Sequence, residues 1–411
     1  MEKSEIDEIK WGENDEVNYE IIFKQKMNLL KKAFKRFHPN REYENFKINS
    51  EKYFLQEHVL FMALKEYFEY KSWIEWPEEF KYNQKEAIKK ILPKISSLIE
   101  FQYFLQFKFD QQWNKLRQYA KVKGVLLIGD LPAANPLDSV DVWLHRENYQ
   151  IDNDLTLKYV QGVPPDIFCS EGQIWGNPLY NWDYVRQHNF NHWINRIRFL
   201  TDKVDIIRLD HFIQIDNQYK IPAKAKSAKE GHWEKGPGFD FIHMLHTKFP
   251  LYEFILEDLG HQTDTLKTIV DNSYYAGFKM LQFGFDSRGS QDHRPYNYPK
   301  NSVCYLSNHD LPTVIEFQNN LSEEDRKFCE DYFDLRRGAD LRLPLIKAGM
   351  ASVSKYFITQ MQDYIALGKS SRMNTPGTSG KNWKWRMRRE DITNELAIQI
   401  AKYTNLYCRE P

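Results

Sequence analysis

Residues Val204–Phe212 read "VDIIRLDHF", and the reading of this stretch decides the fold. A β-branched, apolar run ends in Arg208, Asp210 and His211. Strands of a parallel sheet are covered by helices on both faces, so they appear as continuous apolar runs rather than alternating ones. Polar groups crowded at the C-terminal tip of such a strand sit where a (β/α) barrel assembles its site. Arg208 and Asp210 are two residues apart and so leave the strand on the same face.

The same texture recurs from residue 124 onward, in "GVLLIGDLP", "YEFILEDLG", "MLQFGFD", "SVCYLSNHD" and, less clearly, "VSKYFITQMQD". Each apolar run ends in a polar cluster, and helix-like segments or loops follow, the pattern of βαβ units. The expected fold class is α/β, a (β/α)8 barrel of the TIM type. It is incomplete, with six recognisable strands, two short of closure. Residues 18–120 carry apolar side chains at three- and four-residue spacing, which predicts helices. The expected organisation is therefore a helical region over 1–120, inserted before or packed beside a barrel region over 121–411.

Composition narrows the function classes. The 411 residues are 42% hydrophobic and 15% aromatic, a core-forming globular composition. Lys+Arg and Asp+Glu both number 57, so the basic excess on which phosphate-backbone binding relies is missing, and no nucleic acid is expected. Cys169, Cys304, Cys329 and Cys408 lie far apart, without a CxxC pair. That spacing speaks against a zinc site or disulfide framework and for a reducing compartment. The charged N-terminus has no apolar signal core, and no run approaches the ~20 residues of a membrane span. The expectation is a cytoplasmic protein with no membrane contact. His188 and His192, at i and i+4, lack the glutamate of HExxH and a third ligand, so they read as a helix surface and no metal is expected.

Three strand ends carry acids: Asp210, Glu257 and Asp310, the last beside His309. Their spacing leaves room for a strand–helix unit or two between each pair, so they can meet in one pocket. Any one of them alone is more simply a helix cap or a loop ion pair; the combination carries the signal. Two carboxyl groups flanking an anomeric carbon break a glycosidic bond with retention, one attacking and the other moving the proton. A third can steady positive charge on the ring. The segment 162–183, "GVPPDIFCSEGQIWGNPLYNWD", is too rich in proline, glycine and aromatics for a helix. Trp175, Tyr180 and Trp182 offer flat apolar faces, and Asp166, Gln173 and Asn177 offer hydrogen-bonding groups, a mixture suited to sugars. The same aromatics could equally pack the loop onto the barrel.

In order along the chain, "GDLP", "DSVDVW", "GVPPDIF…GQIWGNPLYNWD", "IIRLDHF", "IPA…GHWEKGPG", "EDLG", "LQFGFD", "NHDLPT" and "RMNTPGTSGKNWKWR" resemble the amylomaltase, or disproportionating-enzyme, family of 4-α-glucanotransferases. The resemblance runs from about Gly129 to Arg386. It implies Asp210 as nucleophile, Glu257 as general acid/base and Asp310 as transition-state stabiliser. Arg208, His211 and His309 match substrate-binding positions, and Asp166, Gln173, Trp175 and Asn177 fall on the loop that shapes the acceptor side. It implies a malto-oligosaccharide or glucan substrate and no cofactor. The basic, aromatic "KNWKWRMRR" belongs to this matched terminus.

The departures are specific. The family's first two barrel strands and its "SPY…SAF…NP" sugar-binding segment have no counterpart here. After "GDLP" stand Ala133 and Ala134 in place of a bulky residue and an aromatic one, and after "DHF" stand Ile213 and Gln214 in place of an Arg-Gly pair. The residues therefore leave three readings: a retaining 4-α-glucanotransferase, an α-glucan hydrolase on the same machinery, or a truncated glucan-binding chain. The last is inactive or needs a partner chain to complete the barrel.

Overall fold

The computed structural model describes residues 3–7, 15–50, 53–165, 171–287 and 290–410. They divide into two compact units, one of residues 1–6 and 27–273 and a second of 7–26 and 274–411.

The first unit begins with helices, and the longest, Lys85–Val122, buries Ile91, Ile95, Phe101, Phe104 and Phe107 along one side. Phe34, Phe37 and Tyr43 meet that side edge-on or tilted, with ring centroids 5.0–6.1 Å apart. The helical region also sets the strands. Trp113 Nε1 donates to Lys203 O at 2.8 Å, and Arg117 Nη2 reaches both Val204 O and the Asp205 carboxylate at 3.1 Å. Three backbone and carboxylate groups just before the strand Ile206–Leu209 are thereby tied to one helix. Trp73, fully buried, donates to Leu137 O at 2.7 Å, and Lys65 pairs with Asp138 at 2.6 Å, which pins the loop after the first strand.

The strands of this unit are β1 (Ile128–Leu131), β2 (Tyr159–Val163), β3 (Gln173–Ile174), β4 (Ile206–Leu209), β5 (Asn217–Pro222), β6 (His232–Lys235) and β7 (Glu253–Leu256). β1, β4 and β7 are parallel neighbours, with β4 in the middle and buried at every residue. β3, β2, β5 and β6 form an antiparallel sheet in that order. The segment expected as a loop over 162–183 thus contributes the last two residues of β2 and the whole of β3. Gly162 allows the pairing: a Cβ there would lie 2.1 Å from Gln173 O, so only glycine lets β3 approach.

The second unit holds β8 (Ala276–Met280), β9 (Ser302–Tyr305) and β10 (Tyr356–Ile358), parallel and in that order. Its core gathers Leu281, Phe285, Cys304, Leu306, Val314, Cys329, Leu345 and Ile346. All six expected barrel strands are present. One is displaced: "MLQFGFD" contributes only Met280 to β8 and then turns into a 3₁₀ helix, Leu281–Gly284, while the strand is built from the preceding "AGFKM". The run that looked like a strand is apolar because its turn packs into the core.

Candidate active site

Register builds the first half of the site. Asp130 on β1 is the direct partner of Arg208 on β4, and Leu209 is the partner of Leu256 on β7. Side chains in register on adjacent parallel strands share a face. Asp130 and Arg208 therefore meet, and one residue past the β4 and β7 tips, Asp210 and Glu257 meet. The Arg208 guanidinium pairs with Asp210 at 3.0 Å, with Glu257 at 2.9 Å, and with Asp130. Its side chain is 7% exposed, against 35% for Asp210 and 16% for Glu257. The arginine is the buried brace, and the acids are what a ligand would meet. A planar fork suits this task, because it can hold two carboxylates at fixed angles.

The electrostatics separate the two acids. Burial drives the Glu257 carboxyl well above the ordinary range; Arg208 opposes this and the Asp210 charge adds to it. The hydrogen bond that Glu257 shares with Asp210 raises it further. The backbone N–H of His211 donates to Glu257 Oε2 at 2.7 Å, and Phe212 N–H to Glu257 O at 2.9 Å. His211 makes this turn at φ +43°, in the left-handed region. Burial pulls its imidazole down to about 4, with Asp210 opposing and Arg208 reinforcing, so the ring is neutral at physiological pH.

The loop after β3 reaches this cluster. The Trp175 ring stands edge-on to the His211 ring at 4.8 Å, and its indole N–H donates to Gln173 Oε1 at 3.2 Å. Asn177 accepts from Gln161 N–H through its carbonyl at 2.8 Å. Gly176 between them has φ +79° with open space around it, so the turn needs glycine for its backbone angle alone. Asp166 lies outside the described residues. Tyr180 and Trp182 are buried, with ring centroids 4.8 Å apart and tilted, and both pack against Trp193; Tyr180 accepts from Arg196 and donates to Asn135. They hold the loop to the barrel rather than facing a ligand.

In the second unit, Asp310 and His309 follow β9, with His309 Nε2 3.1 Å from Asp310 Oδ2. Asn308 Oδ1 accepts from the Asp310 and Leu311 amides at 3.0 and 3.1 Å, which fixes the turn. Asn374 Nδ2 donates to Asp310 Oδ1, Arg372 Nη2 donates to Asp310 O at 2.7 Å, and Trp383 packs on His309 at 5.1 Å. Asp130, Arg372, Asn374 and Trp383 were not singled out as site residues from the sequence. Their only sequence signal was membership of the motifs "GDLP" and "RMNTPGTSGKNWKWR". His188 and His192 do not share a helix, because Asn189 and Phe190 break it at φ +53° and +57°. His192 points inward to Tyr149 Oη at 3.1 Å rather than lying on a helix surface.

The comparisons with known proteins agree with one another. The model of a family described as 4-alpha-glucanotransferase matches residues 2–393. A 4-alpha-glucanotransferase of Aquifex aeolicus is 39% identical over 396 residues, covering 96% of this chain and 81% of the relative. One from Clostridium butyricum is 35% identical over 414 residues, covering 100% and 85%. The solved amylomaltase of Streptococcus agalactiae in complex with acarbose superposes with a TM-score of 0.95 at 31% identity, covering 100% of this chain and 84% of that one. With nearly its whole length matched in this way, the chain belongs to the 4-alpha-glucanotransferase family.

Proposed function

We propose that this chain moves α-1,4-glucan segments between malto-oligosaccharides by retaining double displacement. The observation that carries the reading is the Arg208 brace, which holds Asp210 and Glu257 in mutual hydrogen-bonding contact. An inverting enzyme keeps its two carboxyls about 6.5–9.5 Å apart to admit a water; a pair in contact favours retention. Asp210 attacks the anomeric carbon to form a glucosyl ester, while Glu257 gives its proton to the departing oxygen. Glu257, now a carboxylate, takes the proton of an acceptor 4-hydroxyl, and the ester is displaced. Asp310 steadies the positive charge that develops on the ring, and Arg208, His211 and His309 hold sugar hydroxyls. Gln173, Trp175 and Asn177, with Asp166, form the acceptor side. Trp175 beside His211 favours transfer over hydrolysis, because an apolar ring displaces water from the ester.

Maltotriose tests this. Wild type should yield glucose and longer oligomers with the number of reducing ends conserved, and Asp210→Asn should yield neither. A rise in reducing ends matching bond cleavage would establish hydrolysis instead.

Two finer readings have support of their own. Cys304 and Cys329, both free and buried, fit residence in the reducing cytoplasm. Among the described residues, no helix is long and apolar enough to cross a membrane. A partner chain that completes the barrel is supported by the outer edge of β1, which has only β4 as a neighbour among the described residues. Beside it Leu116, Tyr119, Val122, Val125, Leu126 and Ile128 are 40–83% exposed.

A further inference from the structure

Gln161 and Gln214 are each 1% exposed, and they face one another across the interior of the first unit. Gln161 Nε2 donates to Gln214 Oε1 at 3.0 Å, and Gln214 Nε2 donates to the carbonyl of Ala133 at 3.3 Å. This amide chain ties three segments together. Ala133 follows β1 and its Asp130. Gln214 lies four residues after Asp210. Gln161 sits in β2, where its backbone brackets the loop after β3: its N–H donates to Asn177 O at 2.8 Å, and its carbonyl accepts from Trp175 N–H at 2.9 Å. The segment that presses Trp175 onto His211 is therefore held to the Asp210 turn through one pair of glutamines.

One feature argues that the pair does more than fill space. Gln161 Oε1 is buried without a hydrogen-bond partner, an arrangement that costs stability and that an apolar pair of the same shape would avoid.

We infer that Gln214, acting through Gln161, is a positioning residue that sets where the acceptor loop stands relative to the Asp210 ester, and so selects a sugar over water as acceptor. The inference rests on the transfer reading above. Without Gln214, both polar atoms of the Gln161 amide are left buried and unpaired; without Gln161, Gln214 keeps only its bond to the Ala133 carbonyl, and in either case the loop can relax away from His211. The ester then meets water more often and an acceptor sugar less often.

The experiment compares Gln214→Met, Gln161→Met and the double variant in maltotriose disproportionation, with glucose as a varied acceptor. It follows reducing ends, acceptor KM, the rate of ester formation from an activated maltosyl donor, and the thermal midpoint. Each single variant should raise acceptor KM and the hydrolysed share roughly tenfold, the effect of one unsatisfied buried amide. Ester formation should change less than acceptor KM. The double variant, which removes both polar partners, should recover part of the loss; a merely structural role would instead give additive losses in the thermal midpoint with an unchanged acceptor preference. Equal falls in ester formation and acceptor use, or an unchanged hydrolysed share in folded single variants, would overturn the inference. A wild type that only hydrolyses would overturn the transfer reading instead, which keeps the two failures apart.

Discussion

At the residue scale, the proposed chemistry turns on the proton held by Glu257. Asp210 and Glu257 meet the same guanidinium at 3.0 and 2.9 Å, and burial pushes the Glu257 carboxyl well above the ordinary carboxylate range. An acid that must be protonated to act loses its contribution as pH rises through its raised pKa. The alkaline limb of kcat/KM should therefore lie above the ordinary Glu value near 4.3. Glu257→Gln should lower turnover of maltotriose by about 10²–10⁴-fold and abolish that limb, while a maltosyl fluoride, whose leaving group needs no proton, should still form the ester. A limb that persists in Glu257→Gln would place the titrating acid elsewhere. Asp210, Glu257 and Arg208 were legible in the sequence because each ends or follows an apolar run. Asp130 was not, since its importance comes from facing Arg208 across a strand register that no local pattern displays.

At the element scale, the loop after β3, the proposed acceptor side, depends on β3 reaching β2. Gly162 makes that approach possible: an added Cβ would lie 2.1 Å from Gln173 O and 2.5 Å from Ile221 Cδ1, and neither a backbone oxygen nor a buried core side chain can give way cheaply. Gly162→Ala should detach β3, lower the thermal midpoint by several degrees, and raise acceptor KM more than it slows ester formation. Gly176→Ala should cost only about 1 kcal/mol, because its φ of +79° is strained for alanine but nothing lies within 4 Å. Thermal melts of the two variants decide the point; equal losses would mean that conformational strain, not close approach, governs the loop. The antiparallel sheet itself escaped the sequence reading. β3 is two residues long, and β2 is recognisable only once β5 lies beside it.

At the scale of the whole molecule, buried histidines make stability depend on pH. His58, His192 and His211 are all pulled down by burial, His211 to about 4. A depressed folded value means that the unfolded chain takes up protons first, so stability is complete above about 6.5 and is lost as pH falls towards the folded value. His211 alone accounts for up to about 3 kcal/mol of this loss. The raised Glu257 carboxyl acts in the opposite sense, so the test is a comparison: the urea midpoint should fall more steeply from pH 7 to pH 4.5 in wild type than in His211→Gln, and equal slopes would contradict the burial of the His211 ring. The β1 edge supplies a second prediction at this scale. With apolar side chains from Leu116 to Ile128 exposed beside the edge of β1 that has no neighbouring strand among the described residues, the chain should associate with increasing concentration. Val122→Lys with Leu126→Lys should reduce that association in sedimentation velocity.

By itself the sequence determined the strand–helix alternation, six strands, the order of the acids along the chain and the membership of a glucan-acting family. These properties are written in local runs of apolar and polar residues, where spacing along the chain equals position in the element. Only the tertiary structure decided that Asp130 backs Arg208, that Tyr180 and Trp182 are packing rather than platform, that the "MLQFGFD" run turns away from its strand, and that two glutamines tie the segment around Trp175 to the turn after Asp210. Each of these depends on which distant segment a side chain faces. That is set by strand register and sheet order, which no stretch of sequence carries alone.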